Sequence, residues 1–454
     1  MSDLEAIASC PSGESSRLGA LKRFAGNCAQ TRVLGGSVIM LTGSALVSLL
    51  NFAYNLAVAR MLGPVGFGHA AVAITLLMFV SAVTLSFQLV GAKLVARGES
   101  LAEKGGVYQR LMRRAWKLGA AIGIALTVGS GVVARYLNLP SARIILVLAV
   151  GFAFYVPVGA RRGGMQGMCS FKRLAASYVS EALLKFVGAL LLVQAGFGVM
   201  GAIIAISASL IFAYFIPTVP RELKSTPAAV SQVSGREARQ AIVYFAGQVL
   251  ICNTDILLIK HFFSPERAGI FAAIALVGRL VYFASWMVVS AMFPIAAGTK
   301  EETSSKSLVA IPIVFVIALT GGFVTVLSLF PNFVLHMVFG PMFSGGRGLD
   351  SLLVLYALNA GIYSLSVALI VYEMSRKIAN TGWWQLAFSG AIVTGIYLYH
   401  ATLREVISVE LMCMTGLLIV VALPFLRRVP PTLHCQPPSR ANDGRVGDPG
   451  QEAA

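Results

Sequence analysis

The sequence predicts an all-α polytopic membrane protein with about twelve transmembrane helices. Three observations carry that prediction. Of 454 residues, 57% are hydrophobic and 12% charged, whereas a soluble domain carries about 25% charged residues. Apolar runs long enough to cross a bilayer recur along most of the chain, whose mean hydropathy is +0.79. Lys and Arg gather in the short segments on one side of those runs. The charge deficit decides the class, because a water-facing surface needs charge.

Residues 1–33 read as a polar cytoplasmic N-terminal segment without the order of a cleaved signal peptide. Apolar runs predict helices at about 34–58, 69–92, 116–134, 143–160, 174–194 and 197–216, an N-lobe of 34–216. A polar cytoplasmic linker follows at 217–239. A C-lobe of 240–426 holds runs at about 240–260, 269–296, 308–330, 351–373, 384–401 and 406–426. The tail 427–454 is rich in Pro and Gly and reads as disordered and cytoplasmic.

Orientation follows from the 36 Lys and Arg. With the N-terminus inside, the outside segments hold only Arg60, Arg135, Arg143, Lys260, Arg267, Arg347 and Arg404. Lys185 and Arg279 fall within helices, and all the rest lie inside. Both termini are therefore expected in the cytoplasm.

The net charge of +17 does not imply nucleic-acid binding, because the cations flank apolar runs as they do beside anionic lipid. The six cysteines form no CxxC pair and fit no zinc site. No HExxH, Walker or paired-carboxylate pattern appears. The outside loops are short, the longest at about 331–350, and leave no room for a catalytic domain. The expectation is a transporter rather than an enzyme, with no cofactor and no metal centre.

An internal repeat organises the chain. The segment 59–73 aligns without a gap on 260–274, matching Pro64 with Pro265, Gly68 with Gly269 and Ala71 with Ala272. Each copy places a basic or polar residue before a short Pro turn, then opens a helix of small residues. Six helices per copy is an even number, so the copies are parallel. Two parallel repeats imply two lobes with a cleft between them.

The stretch Asn55–Gly68 contains Arg60-Met-Leu-Gly-Pro-Val-Gly-Phe-Gly68. It resembles the first helix hairpin of bacterial polysaccharide transporters. These are the lipid-linked oligosaccharide flippases related to the MATE exporters of the MOP superfamily. Arg161–Phe171 and Gly196–Ala202 resemble that family's fourth-to-fifth helix loop and fifth-to-sixth helix turn. The resemblance implies a MATE-like pair of six-helix lobes, a central polar cavity and alternating access, and it leaves the sugar open.

Ionisable and amide groups at membrane depth mark the candidate cavity. Glu181 and Lys185 lie four apart on one helix face, either as a self-neutralised pair or facing the cavity. Asp255 lies about 7 Å and Arg279 about 15 Å below the outer ends of their helices, at 1.5 Å per residue. They read as a salt bridge or a gate. Asn51 and Asn55 share one face of the first run, Gln248 and Asp255 one face of the seventh. Gln88, Lys93, Arg161, Arg162 and Lys172 cluster at the inner mouth, suited to a diphosphate or to plain topology. His400 and Glu410, beside the last outside turn, read as interfacial.

The function these readings favour is flipping of a lipid-linked oligosaccharide for lipopolysaccharide, surface or exopolysaccharide assembly, coupled to H+ or Na+; the resemblance implies a polyprenyl diphosphate as the carrier and the bacterial inner membrane as the location. The alternative is a drug or metabolite exporter of the same architecture. Expected partners are the lipid-linked sugar, the bilayer and other polysaccharide-assembly proteins, with no nucleic acid.

Overall fold

A bend in the longest helix sets the architecture. In the computed structural model, which describes residues 13–216, 219–220, 223, 235–298, 302–340, 343, 348–376 and 381–427, α1 runs Gly13–Arg97. It leaves helical geometry at Gly63, with φ 66° and ψ −176°. A left-handed φ suits glycine, and Pro64 beside it brings no N–H to the ladder. Two rods result where helices at 34–58 and 69–92 were expected, so the expected turn at 59–68 shrinks to one bend. The helix also starts at Gly13, inside the segment read only as polar. Residues 1–12 lie outside the described residues.

α2 (Leu101–Val128) begins well before the expected position 116. Its start is fixed by Ser100 Oγ, which accepts from the Glu103 N–H at 3.1 Å, while Glu103 Oε2 accepts from the Glu99 N–H at 3.0 Å. This is close to a capping box, a local signal that hydropathy does not carry. After Gly129 the rod turns by 66° into the short α3, Ser130–Tyr136. α4 (Arg143–Gly167) and α5 (Phe171–Leu192) follow. A π turn, Val193–Phe197, then leads into α6, Gly198–Phe215, with left-handed Gly196 and Gly198.

The second half repeats the plan with α7 (Gly235–Phe262), α8 (Pro265–Gly298) and α9 (Glu302–Leu329). A short α10 (Pro331–Phe339) precedes α11 (Leu349–Arg376), α12 (Thr381–Leu398) and α13 (Leu403–Arg427). Among the described residues, eight stretches are long and apolar enough to cross a membrane. Two of them hold two rods each, at the α1 bend and the α5–α6 turn. The broken α2–α3 pair and α12 complete twelve rods.

The repeat is visible in the packing. In the first lobe α1 packs on α4 and α5, α2 on α4, and α4 on α6. In the second, α8 packs on α11, α7 on α12, α9 on α11, and α11 on α13. Exchanging each rod for its counterpart turns the first set into the second. Lipid offers apolar surfaces no reason to leave it, so close approach supplies the adhesion. Gly159, Gly163 and Gly167 form a ridge on α4 seated on Thr84, Gln88 and Ala92, where added Cβ atoms would run into α1 backbone.

Of the expected linker 217–239, Val219 and Leu223 are buried against Leu94, Val95, Val107 and Tyr108 of the first lobe. The expected tail lies outside the described residues beyond Arg427. The lobes meet at the end of the bundle that carries the α1 bend and the α7–α8 turn. There the repeat-related Gly68 and Gly269 touch backbone to backbone, Gly68 against Pro265 and Gly269, Gly269 against Pro64.

Candidate functional site

Between the lobes lies a cavity of about 610 Å³. Six of the residues singled out in the sequence line it: Asn51, Asn55 and Lys185 from the first lobe, and Gln248, Asp255 and Arg279 from the second. Much of the remaining wall is apolar, with Phe52, Ile74, Met78, Leu276 and Phe283 among its members.

α5 presents Lys185 to the cavity. Its ammonium donates to Asn51 Oδ1 of α1 and lies 5.5 Å from the Tyr54 ring centre. Lys185 is 7% exposed, and its hydrogen-bond partner is a neutral amide. Asn55 Nδ2 turns back on the Asn51 carbonyl at 2.8 Å and so fixes that face of α1.

The second lobe supplies a denser network. Asp255 pairs with Arg279 at 3.2 Å and accepts from the Tyr356 hydroxyl at 2.8 Å. Arg279 also donates to Asn253 Oδ1 at 3.2 Å and to the Cys252 carbonyl. Asn359 Nδ2 donates to Glu410 Oε2 at 3.1 Å. Gln248 Nε2 donates to the Tyr282 hydroxyl at 2.5 Å. Two carboxylates face one guanidinium on this wall, while the first lobe offers one ammonium. The cavity is therefore polarised, basic on one lobe and acidic on the other.

Six expected site residues lie elsewhere. Glu181 does not pair with Lys185. Its carboxylate meets Arg162 at 2.6 Å. Arg162 also donates to Ser177 Oγ and to the Ser177 carbonyl, both at 3.1 Å, and stacks 3.9 Å from the Tyr178 ring centre. A guanidinium on the neighbouring helix can serve Ser177 and Glu181 together, which an ammonium on the same helix cannot. Arg162 is 2% exposed, so it is an internal brace and not a cation at the mouth. Arg161 is buried 4.8 Å from the Tyr214 ring centre. The glycine ridge draws this end of α4 into the lobe. Gln88 donates to Gln166 Oε1 at 2.9 Å and accepts from Tyr178 at 2.6 Å. Lys93 is half-buried on α1, and Lys172 is exposed on α5. None of the six borders the cavity.

Glu410 was read as interfacial, yet it is 3% exposed and lines the cavity. It sits two helical turns into α13 from Leu403, about 10 Å along the axis, which removes it from the surface. Tyr356, Asn359 and Tyr363 also line the site. Their spacing places a polar stripe on one face of an apolar helix, a signal present in the sequence. His400 does lie at the surface end, stacked 4.0 Å from Phe262. Among the described residues no group of three or more His, Cys, Asp or Glu side chains is placed to hold a metal ion.

No protein-family model and no curated protein matches the chain. Solved structures do. One, described as the inward-facing conformation of a multidrug resistance MATE family transporter of the MOP superfamily, superposes with a TM-score of 0.69 at 15% identity, covering 86% of this chain and 97% of the other. A MATE protein in a bent conformation gives 0.60 at 16% identity, covering 88% and 95%. An outward-facing MATE transporter gives 0.55 at 15%, covering 87% and 95%. The chain has the two-lobed, twelve-helix fold of the MATE transporters.

Proposed function

We propose that the protein is an alternating-access transporter that flips a lipid-linked oligosaccharide across the bacterial inner membrane. The carrier lipid is a polyprenyl diphosphate, and the product feeds surface polysaccharide, lipopolysaccharide or exopolysaccharide assembly. The observation that carries this reading is Lys185, a buried ammonium on the cavity wall whose hydrogen-bond partner is an amide and not a carboxylate. Such a charge suits a phosphate oxygen. The neighbouring amides and tyrosines suit sugar hydroxyls, and the apolar wall suits the start of the lipid tail. On this reading both termini are cytoplasmic and the closed end faces outward. Asp255 and Glu410 are the groups through which H+ or Na+ couples to the cycle.

The acidic wall supports a second reading, export of a cationic drug or metabolite, since Glu410, whose hydrogen-bond partner is the Asn359 amide, suits a cation as Lys185 suits an anion. A deletion strain separates the two. Flipping predicts accumulation of lipid-linked glycan on the cytoplasmic leaflet and loss of the surface polymer. Unchanged surface polymer with raised drug sensitivity would favour the exporter.

A further inference from the structure

The closed end is held by more than the glycine contact. The register that pairs Pro64 with Pro265 also pairs Ser130 with Pro331, and these residues open the two short helices α3 and α10. Each short helix is followed within two residues by a left-handed residue, Asn138 at φ 47° and Gly340 at φ 88°. The last carbonyls of each are left for partners outside the helix. Those partners come from the opposite lobe.

Arg60, at the α1 bend, donates from Nε to the Val338 carbonyl at 2.8 Å and from a terminal nitrogen to the Met337 carbonyl. His261, at the end of α7, meets the Tyr136 carbonyl through Nδ1 at 2.7 Å, and its ring stacks 4.0 Å from Tyr136. Arg60 and His261 are counterparts in the repeat register, and so are Met337 and Tyr136. The same contact is thus made twice with the lobes exchanged. A cationic or N–H-bearing side chain on a helix C-terminus is favoured by the helix dipole. Asn138 adds bonds to the Lys260 and His261 carbonyls at 3.1 and 3.0 Å, and Tyr136 and Tyr397 share a hydroxyl bond at 2.6 Å. Phe67 packs 6.2 Å from both Phe339 and Phe343 across the seam.

One group opposes them. Lys260, whose carbonyl takes the Asn138 bond, is 1% exposed, and its ammonium has no hydrogen-bond partner among the described residues. Across the seam His69 is also buried with Nδ1 unpartnered, and it is near enough to feel the Lys260 charge. A buried ammonium with no hydrogen-bond partner among the described residues is costly. Parting the lobes would hydrate it.

We propose that Arg60 and His261 are paired latches that hold this end of the lobes shut, and that buried Lys260 is the load they restrain. The gate is then poised, with closing contacts set against a charge that favours opening. The proposal rests on the alternating-access reading, but its test needs no substrate.

A cysteine at Ala71, which is buried and lines the cavity near the seam, reports gate opening in a chain whose six native cysteines are replaced. Labelling by a membrane-impermeant maleimide is measured in sealed vesicles from the closed-end side. Arg60→Ala with His261→Ala is expected to raise the labelling rate about tenfold, the scale of lost charge-assisted hydrogen bonds. Arg60→Lys, which keeps the charge, restores part of the closure. Lys260→Met is expected to slow labelling. Membrane protein level controls for failed insertion. Faster labelling in Lys260→Met, or no change in the double latch variant at normal protein level, overturns the proposal. Absence of glycan transport by the chain with Arg60, His261 and Lys260 in place, with both labelling changes observed, would instead count against the flippase reading alone.

Discussion

Gly269→Ala offers a graded test of how the lobes meet. A Cβ at Gly269 would lie 2.5 Å from the Pro64 carbonyl carbon and closer still to its oxygen. Both sides of that contact are backbone, so no side chain can swing away. At Gly68 the added Cβ would meet Gly269 and Pro265 backbone at 3.0–3.1 Å, which a shift of a few tenths of an ångström relieves. Overpacking of this kind costs about 1–3 kcal/mol. It falls on the closed state alone, so Gly269→Ala should move the closed-to-open ratio about tenfold to a hundredfold. Gly68→Ala should move it much less. The assay is a spin-label distance across the closed end, from Arg143→Cys at the start of α4 to Arg404→Cys at the start of α13, both exposed. Gly269→Ala should add a longer distance that Gly68→Ala nearly lacks. Equal distributions in the two variants, or a larger effect at Gly68, would refute the argument.

The remaining predictions concern the charges. Lys185→Met should abolish or strongly reduce glycan flipping in vesicles while the protein inserts normally, and Lys185→Arg should retain more. Arg162→Ala should lower stability by about 3–5 kcal/mol, because it leaves the Glu181 carboxylate buried without its partner. Thermal unfolding in detergent reads this, and adding Glu181→Gln should recover part of the loss. Asp255→Asn and Glu410→Gln should remove the dependence of transport on an imposed proton or sodium gradient, while downhill flipping continues. Retention of full gradient dependence in both would take the acidic wall out of coupling.

How much of this was legible in the sequence depends on the range of the interaction. Runs of apolar residues give the rods, because each rod satisfies its own backbone and needs only lipid around it. The Pro64 and Pro265 match gives the repeat, because Pro and Gly act on their own backbone. The bend at Gly63 was legible as a turn but not as a continuous helix, since hydropathy cannot tell a ten-residue loop from one left-handed residue. The partner of Glu181 was not legible. Helical spacing names Lys185, and only the seating of α4 on α1 through glycines brings Arg162 within reach. Glu410 was misplaced because its depth depends on where α13 begins. The short helices α3 and α10 fell inside loops or run ends, where neither length nor periodicity marks them. The cross-lobe bonds they make join segments far apart in the chain.

The account stands or falls on which charged side chains face water. Single cysteines at 181, 185, 255 and 279 can be challenged in sealed vesicles with an impermeant thiol reagent, applied in turn to each side of the membrane. The account predicts labelling at 185, 255 and 279 from the side of the chain termini, and protection at 181, which α4 covers. Protection at all four positions from both sides, or labelling at 181 with 185 silent, would contradict it.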